Sequence, residues 1–406
     1  MGSVPRDLLL VKAILLLCIL TNSFLFNEAK TTLSKDDYLS MKRHLKSMNK
    51  PAVKSIEIDN RNIFDCVHIN KQPAFDHPLL KNHTVQMKPS SHPRRKDDKI
   101  SSSSVLDIGL PGEGCPVGTV PIRRATMDDL MSAPSLSQFG KKYAVINDSQ
   151  VIKASVLRAL NHHYATLQAN GRQFYGTGAT MNLWKPHVGY DQFSLAQFWL
   201  TSGPYDQLNS IEAGWIVQPS LFNDNYAHLF AYWTADGYHR TGCYNHKCPG
   251  FVQVSRKIPL GARFTPRSTY DGKQYQITLL AFLDIITKNW WLKYENELIG
   301  YWPNKLFNSL SRKAENVHWG GEVFASDEFY SPPMGSGHFA EEGYGKASYM
   351  KRLQVITRDN RLQDAPDNTR PVVDVPQCYN INDKGRLSGD WRRTFYFGGP
   401  GGKCIS

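Results

Sequence analysis

A chain of 406 residues with 21% charged and 12% aromatic residues is long enough for two or three domains with a sizeable core, and it is not a disordered polymer. Forty-eight Lys and Arg against 36 Asp and Glu give a formal charge of +12, but the basic residues are scattered. The one short cluster, His92-Pro93-Arg94-Arg95-Lys96, stands without a recognition motif, so nucleic acid is not an expected partner.

At the N-terminus, Arg6 and Lys12 flank an apolar run from Ala13 to Leu20, followed by Thr21-Asn22-Ser23 and Glu28-Ala29. This pattern predicts a secretory signal over residues 1–29, too short to span a membrane. No later run reaches spanning length, so the expectation is a soluble monomer that is secreted, to the extracellular space, the cell wall or a vacuole, with no membrane partner. Of seven cysteines, Cys18 leaves with the signal and six remain in an oxidising compartment. Six allow fifteen pairings, and spacing alone does not choose among them. Chain order suggests Cys66 with Cys115, Cys243 with Cys248, and Cys378 with Cys404. Cys243 and Cys248 could also form half of a zinc site, but no second cysteine pair lies at ligand spacing. Asn82-His83-Thr84 and Asn147-Asp148-Ser149 fit the glycosylation sequon.

Residues 30 to about 60 are polar and lysine-rich, with a short helix expected through Tyr38, Met41 and Leu45. The Pro-bounded stretch Gln72-Pro73-Ala74-Phe75-Asp76-His77-Pro78-Leu79-Leu80 reads as a segment laid against another surface. Cys115 to Arg124 looks like a strand, and Thr126 with Asp129 three residues on marks a capped short helix. Ser132 to Lys142 reads as an exposed linker. All nine tryptophans come after it in the chain, which places the domain boundary there: a smaller domain over 30–142 and a larger one over 143–406.

The larger domain reads as short strands separated by turns: Phe193 to Leu200, Ala227 to Thr234, Phe251 to Val254, Tyr275 to Phe282, Asn289 to Tyr294 and Glu297 to Trp302. Asp271-Gly272 is a hairpin signal between Phe264-Thr265 and the strand at Tyr275. One helix is expected, opened by Pro303 and carrying Leu306, Leu310 and Ala314 at four-residue spacing. The fold class is all-β, an antiparallel two-sheet β-sandwich.

Ile211-Glu212-Ala213-Gly214-Trp215-Ile216-Val217 is the informative strand. Ile211, Ala213, Trp215 and Val217 share one face; Glu212, Gly214 and Ile216 share the other. Trp, Gly and Glu recur in His318-Trp319-Gly320-Gly321-Glu322-Val323-Phe324. Serine hydrolase elbows, His-Glu-x-x-His and phosphate-binding loops are absent. His162-His163 is not a convincing metal site, and an even cysteine count leaves no free thiol nucleophile. Paired carboxylates remain: Glu212 and Glu322, meeting across a cleft, would share one proton and serve as acid and base. Trp215, Trp319 and Tyr232 are aromatic residues near the pair that could simply pack the core.

From Cys66 to Cys404 the chain resembles the neprosin family of secreted plant glutamic peptidases. The resemblance rests on Gln72-Pro73-Ala74-Phe75-Asp76-His77-Pro78-Leu79 and Gly118-Thr119-Val120-Pro121-Ile122-Arg123. It rests further on Glu212-Ala213-Gly214-Trp215, Gly300-Tyr301-Trp302-Pro303, Trp319-Gly320-Gly321-Glu322 and Met334-Gly335-Ser336-Gly337-His338. It implies a zymogen whose propeptide is an intramolecular inhibitor, a metal-free Glu212–Glu322 pair with no cofactor, and polypeptide substrates cut after proline. Trp215, Trp319 and Tyr232 could then line a pocket for the proline ring. Activity at acid pH is predicted by the pair's shared proton itself. A propeptide held by carboxylates, Asp65 and Asp76 among them, would be released on acidification. The rival readings are a non-catalytic sandwich binding carbohydrate or cell-wall polymer, and a two-carboxylate glycosidase.

Overall fold

The computed structural model describes residues 34–95, 106, 108–142, 161–325 and 330–404. The expected signal over 1–29 and the sequon at Asn147 lie outside these residues. The chain divides into two units, residues 1–44 and 45–406. The expected N-terminal helix is present as α1 (Lys35–Met48), none of whose residues is buried. Every strand among the described residues belongs to the second unit.

The N-terminal part of that unit carries β1 (Ala52–Asp59), β2 (Asn62–His68), β3 (Arg94–Arg95) and β4 (Thr119–Arg123). β1, β2 and β4 form a three-stranded sheet, closed by the disulfide Cys66–Cys115. The short helix α2 (Met127–Met131) comes next. Thr126 and Asp129 form the expected reciprocal cap: each side chain bonds the other residue's backbone N–H.

Beyond residue 160 come β5 (His162–Ala169), β6 (Gly176–Asn182), β7 (Phe193–Ser202), β8 (Asn209–Val217), helix α3 (Pro219–Phe222) and β9 (His228–Thr234). They are succeeded by β10 (Val252–Gln253), β11 (Gln276–Leu283), β12 (Trp290–Tyr294), β13 (Glu297–Trp302) and β14 (Asn316–Phe324). The chain ends with β15 (Ser348–Ile356), β16 (Arg361–Asp364), β17 (Arg370–Val373), β18 (Asn380–Leu387) and β19 (Arg392–Gly398). Six strands form one sheet in the order β17-β5-β14-β7-β8-β9. A second, ten-stranded sheet runs β10-β13-β12-β11-β6-β15-β16-β3, with β19 and β18 joined through β15. All pairings are antiparallel except β3 with β16, where the N-terminal part contributes an edge strand to the larger sheet.

The two sheets face each other across one core containing Leu279, Trp290, Trp302, Met350 and Phe397 from one side and Phe198, Ile211 and Val317 from the other. Period-2 alternation therefore sends Trp215 and Trp319 into this core, where both are fully buried. Each indole also reaches the opposite sheet: Trp215 Nε1 donates to Asn182 O and Trp319 Nε1 to Thr177 Oγ1, both at 2.9 Å. They belong to the core and not to a proline pocket, because they lie on the face opposite the glutamates of the same strands.

The Pro-bounded segment after β2 lies on the outer face of the ten-stranded sheet, where Ala74 and Phe75 pack with Val252, Phe282, Trp291 and Tyr301. Gln72 and Gln253 bond reciprocally, Gln253 N donating to Gln72 Oε1 at 2.7 Å and Gln72 Nε2 to Gln253 O at 3.1 Å. Two local expectations are corrected. Residues after Pro303 make only two 3-10 turns, Asn304–Leu306 and Ser309–Ser311. Asn308 caps the second turn with its side chain, and Ala314 leaves for a bridge with Phe174. Asp271, at φ 51°, does form a turn, but β11 pairs with β6 and β12, so no hairpin joins it to residues 264–265.

Disulfides join Cys243 to Cys248 and Cys378 to Cys404 as well as Cys66 to Cys115, the pairs suggested by chain order. The Cys243–Cys248 bond rules out a half zinc site there, and among the described residues no group of His, Cys, Asp and Glu could hold a metal.

Candidate active site

The outer face of the six-stranded sheet carries the residues of interest. β7 lies between β14 and β8, with Leu195 opposite Glu322 and Trp199 opposite Glu212. Gln197, between those two, pairs with Gly214 on one side and Gly320 on the other. The two glycines are sterically required. A Cβ at Gly320, whose φ is +153°, would lie 2.1 Å from Ala165 O, and one at Gly214 would lie 1.9 Å from Ala196 O. The strands thus leave, between two carboxylates, a strip in which bare glycine backbone flanks the side chain of Gln197.

Glu212 and Glu322 are fully buried and converge on one cation. Lys142 Nζ donates to Glu212 Oε2 at 2.7 Å and to Glu322 Oε2 at 2.6 Å. The two oxygens are therefore no more than about 5.3 Å apart, the sum of those contacts. Glu322 also accepts from His162 Nδ1 at 2.8 Å, Tyr164 OH at 3.3 Å and Gln197 Nε2 at 3.0 Å. Glu212 also accepts from Tyr238 OH at 2.6 Å and Ser210 Oγ at 3.1 Å. Tyr232, directly opposite Glu212 in β9, accepts from Lys142 N at 3.4 Å. Of the three aromatic residues considered for substrate binding, it alone shares the face of the pair.

The electrostatics follow from burial and charge. Burial disfavours the ammonium of Lys142, but the charges of Glu212 and Glu322 outweigh it and hold the lysine above its ordinary value. Burial likewise opposes the Glu322 carboxylate, yet Lys142 and the hydrogen bond from His162 hold it below the usual glutamate range. Burial lowers the His162 imidazole below its ordinary value, against the pull of Glu322; beside a carboxylate, which can only accept, its Nδ1 is the donor. Burial and then the charge of Glu212 raise Tyr238 well above its ordinary value, which keeps it a donor.

The linker that supplies Lys142 is not exposed along its whole length. Phe139, Gly140 and Lys142 are buried, because the chain descends into the groove. Gly140 O accepts from Tyr244 N at 2.9 Å, inside the Cys243–Cys248 loop. A tandem lysine ending a Ser-rich linker carries the composition of a solvated tail, so Lys142 does not stand out in the sequence, and neither do Tyr164, Gln197 and Tyr238, which bond the glutamates; His162 stands out only as half of an unconvincing metal pair. The signal that existed was the period-2 face of β5 and β7, which puts Tyr164 and Gln197 beside the pair once the sheet order is known.

The neprosin family profile matches residues 190–400, and the neprosin activation peptide profile matches residues 55–168. The first alone spans just over half the chain. The chain belongs to the neprosin family. Its activation-peptide match ends inside β5, a strand between β14 and β17 of the neprosin domain's own sheet, so the profile runs past the part that could depart. Among solved structures, the chain is similar to a scytalido-glutamic peptidase bound to a peptide-based transition state analogue, at 15% identity and TM-score 0.34, over 58% of this chain and 97% of that one. It is similar to SCP-B, a member of the eqolisin family of peptidases, in complex with the tripeptide Ala-Ile-His, at 14% identity and TM-score 0.30, over 58% and 96%. A β-porphyranase from the human gut bacterium Bacteroides plebeius aligns at 11% identity and TM-score 0.23, over 39% and 55%.

Proposed function

We propose that this neprosin-family chain is the zymogen of a secreted endopeptidase, active at acid pH, in which Glu212 and Glu322 activate water against a peptide bond, with a preference for cleavage after proline. One observation carries the reading: a lysine from the region of the activation peptide is buried between two carboxylates that would otherwise repel each other. Neutralising a carboxylate pair with a removable segment has a purpose where the pair is reactive. Three disulfides agree with an oxidising, secreted setting. The separation step would fall after Lys142, dividing the chain into an activation part over 30–142 and a catalytic part over 143–406.

With Lys142 withdrawn, two carboxylates this close and this buried cannot both ionise cheaply, so they hold one proton between them. Glu322 keeps three donors, His162, Tyr164 and Gln197, while Glu212 keeps Tyr238 and Ser210. Hydrogen bonds to the charged form favour it, so on this donor set Glu322 is proposed as the base and Glu212 as the acid. Glu322 takes a proton from water, whose oxygen bonds to the scissile carbonyl carbon. Glu212 hydrogen-bonds the carbonyl oxygen and supplies the proton with which the amine leaves.

Glu212→Gln and Glu322→Gln test this. Each full-length variant is acidified, its linker is cut by an added protease, and cleavage of an internally quenched proline-containing peptide is measured over time. Each should lose at least about a hundredfold in kcat, the usual contribution of a positioned acid or base, with an unchanged circular dichroism spectrum. Near-normal cleavage by either variant rejects the pair mechanism. Matched peptides with alanine in place of proline measure the proline preference.

A further inference from the structure

The linker that blocks the groove places a second lysine in a built site. Lys141 Nζ donates to Gly242 O at 2.8 Å and to Arg240 O. Both carbonyls belong to the loop Asp236–Gly242, which also presents Tyr238 to Glu212. The loop is fixed from within: Asp236 accepts from Arg240 N, Thr241 N, Thr241 Oγ1 and Thr234 Oγ1. Gly242, at φ +79°, admits no side chain, because a Cβ there would meet Trp233 O at 1.6 Å. These constraints point two carbonyl oxygens at one spot beside the groove, with the Asp236 charge behind them. Burial lowers the Lys141 ammonium, and Asp236 acts the other way.

On either side of Lys141 the linker is held by side chains as well as main chain: Lys142 by Glu212 and Glu322, and Phe139 by the Lys247 ammonium over its ring. Gly140 O takes the Tyr244 N–H, and the next residue's side chain fills the carbonyl site. The first contact uses a left-handed glycine, at φ +71° with no room for a Cβ; the second needs only a cationic tip, which a peptide substrate can also supply. Both are vacated when the activation part leaves.

We propose that the loop Asp236–Gly242 is a cation-accepting subsite of the peptidase groove, so that the mature enzyme favours peptides with a lysine or arginine close to the scissile bond, and that Lys141 occupies this subsite in the precursor. The proposal rests on the peptidase reading given above. Full-length chain activated by acid is given internally quenched peptides differing at one position, carrying lysine, norleucine or glutamate, scanned over each position flanking the cleaved bond. At one position lysine should exceed norleucine in kcat/KM by about tenfold or more, the scale of a hydrogen bond to a charged group, and glutamate should fall below norleucine. Asp236→Asn should narrow the lysine-to-norleucine ratio at that position and leave it unchanged at the others. Cleavage with a ratio near one at every position overturns the subsite while leaving the peptidase standing. Failure to cleave any peptide removes the peptidase reading and the subsite together.

Discussion

A lysine ammonium buried without counter-charge would cost several kcal/mol, so Lys142 is tolerated in the groove only because two carboxylates meet it. Glu322 sits below its ordinary value in this closed form. Its hold on Lys142 is therefore complete above the ordinary glutamate pKa and is lost as pH falls through the lowered value. Lys142 is raised, so its own contribution stays intact throughout the acid range and fails only in strong alkali. Lys142→Met removes the cation that keeps Glu322 ionised and leaves burial to push that carboxyl upward. Breaking one side of a buried ion pair costs about 3–5 kcal/mol. The variant precursor should therefore begin to cleave a quenched peptide at higher pH than the wild type. An onset unmoved by the substitution would make Lys142 a passenger in the groove. The glutamates were legible because Trp, Gly and Glu recur on two strands. Lys142 was not, because its burial is decided by two carboxylates 70 and 180 residues away. The acids expected to hold the activation part, Asp65 and Asp76, pair instead within it, with Arg124 and with Lys50.

At the level of strands, alternation located the core and the site faces correctly along β8 and β14, but it also contained the refutation of the tryptophan pocket. Trp215 stands three residues from Glu212, an odd number, and so must face the other way. The helix expected after Pro303 failed for a related reason. Four-residue apolar spacing is equally served by two 3-10 turns whose Leu306 and Leu310 both reach the core. What no pattern revealed was how closely β14 approaches β5 at Gly320. Gly320→Ala combines an unfavourable φ with a Cβ 2.1 Å from a backbone oxygen, neither of which a rotamer change relieves. Strain of this kind costs about 1–3 kcal/mol, and the full-length variant should lose at least that much stability in urea unfolding. An unaltered midpoint would mean that β14 can shift without disturbing the strip between the glutamates.

Across the whole molecule, the activation part is fastened at several distant points, and only some of them respond to acid. Asp59 meets Arg263 at 3.2 Å, while Gln72 and Gln253 bond without any charge. A third fastening uses a carboxylate of the catalytic part: Asp284 accepts from Gln86 Nε2 at 2.9 Å, Ser90 N at 2.7 Å and Ser91 Oγ at 2.8 Å. Burial raises its pKa, but these donors together with Thr287 overcome that and bring it down to about 2. Its contribution is thus full above the ordinary aspartate pKa and is lost progressively as pH falls to about 2. On the proposed release by acid, Asp284 still holds residues 86–91 under mild acid, and complete separation would need stronger acid than the titration of an unperturbed carboxylate requires. Asp284→Asn replaces two accepting oxygens with one and removes the charge. In hydrogen–deuterium exchange across a pH series, residues 86–91 of that variant should lose protection at a higher pH than in the wild-type precursor. Peptide cleavage should begin at higher pH as well if this fastening limits release. Loss of protection without any change in the onset of cleavage would mean that the fastening at Asp284 opens independently of the groove, and that Lys142 alone sets the pH at which the glutamates are freed.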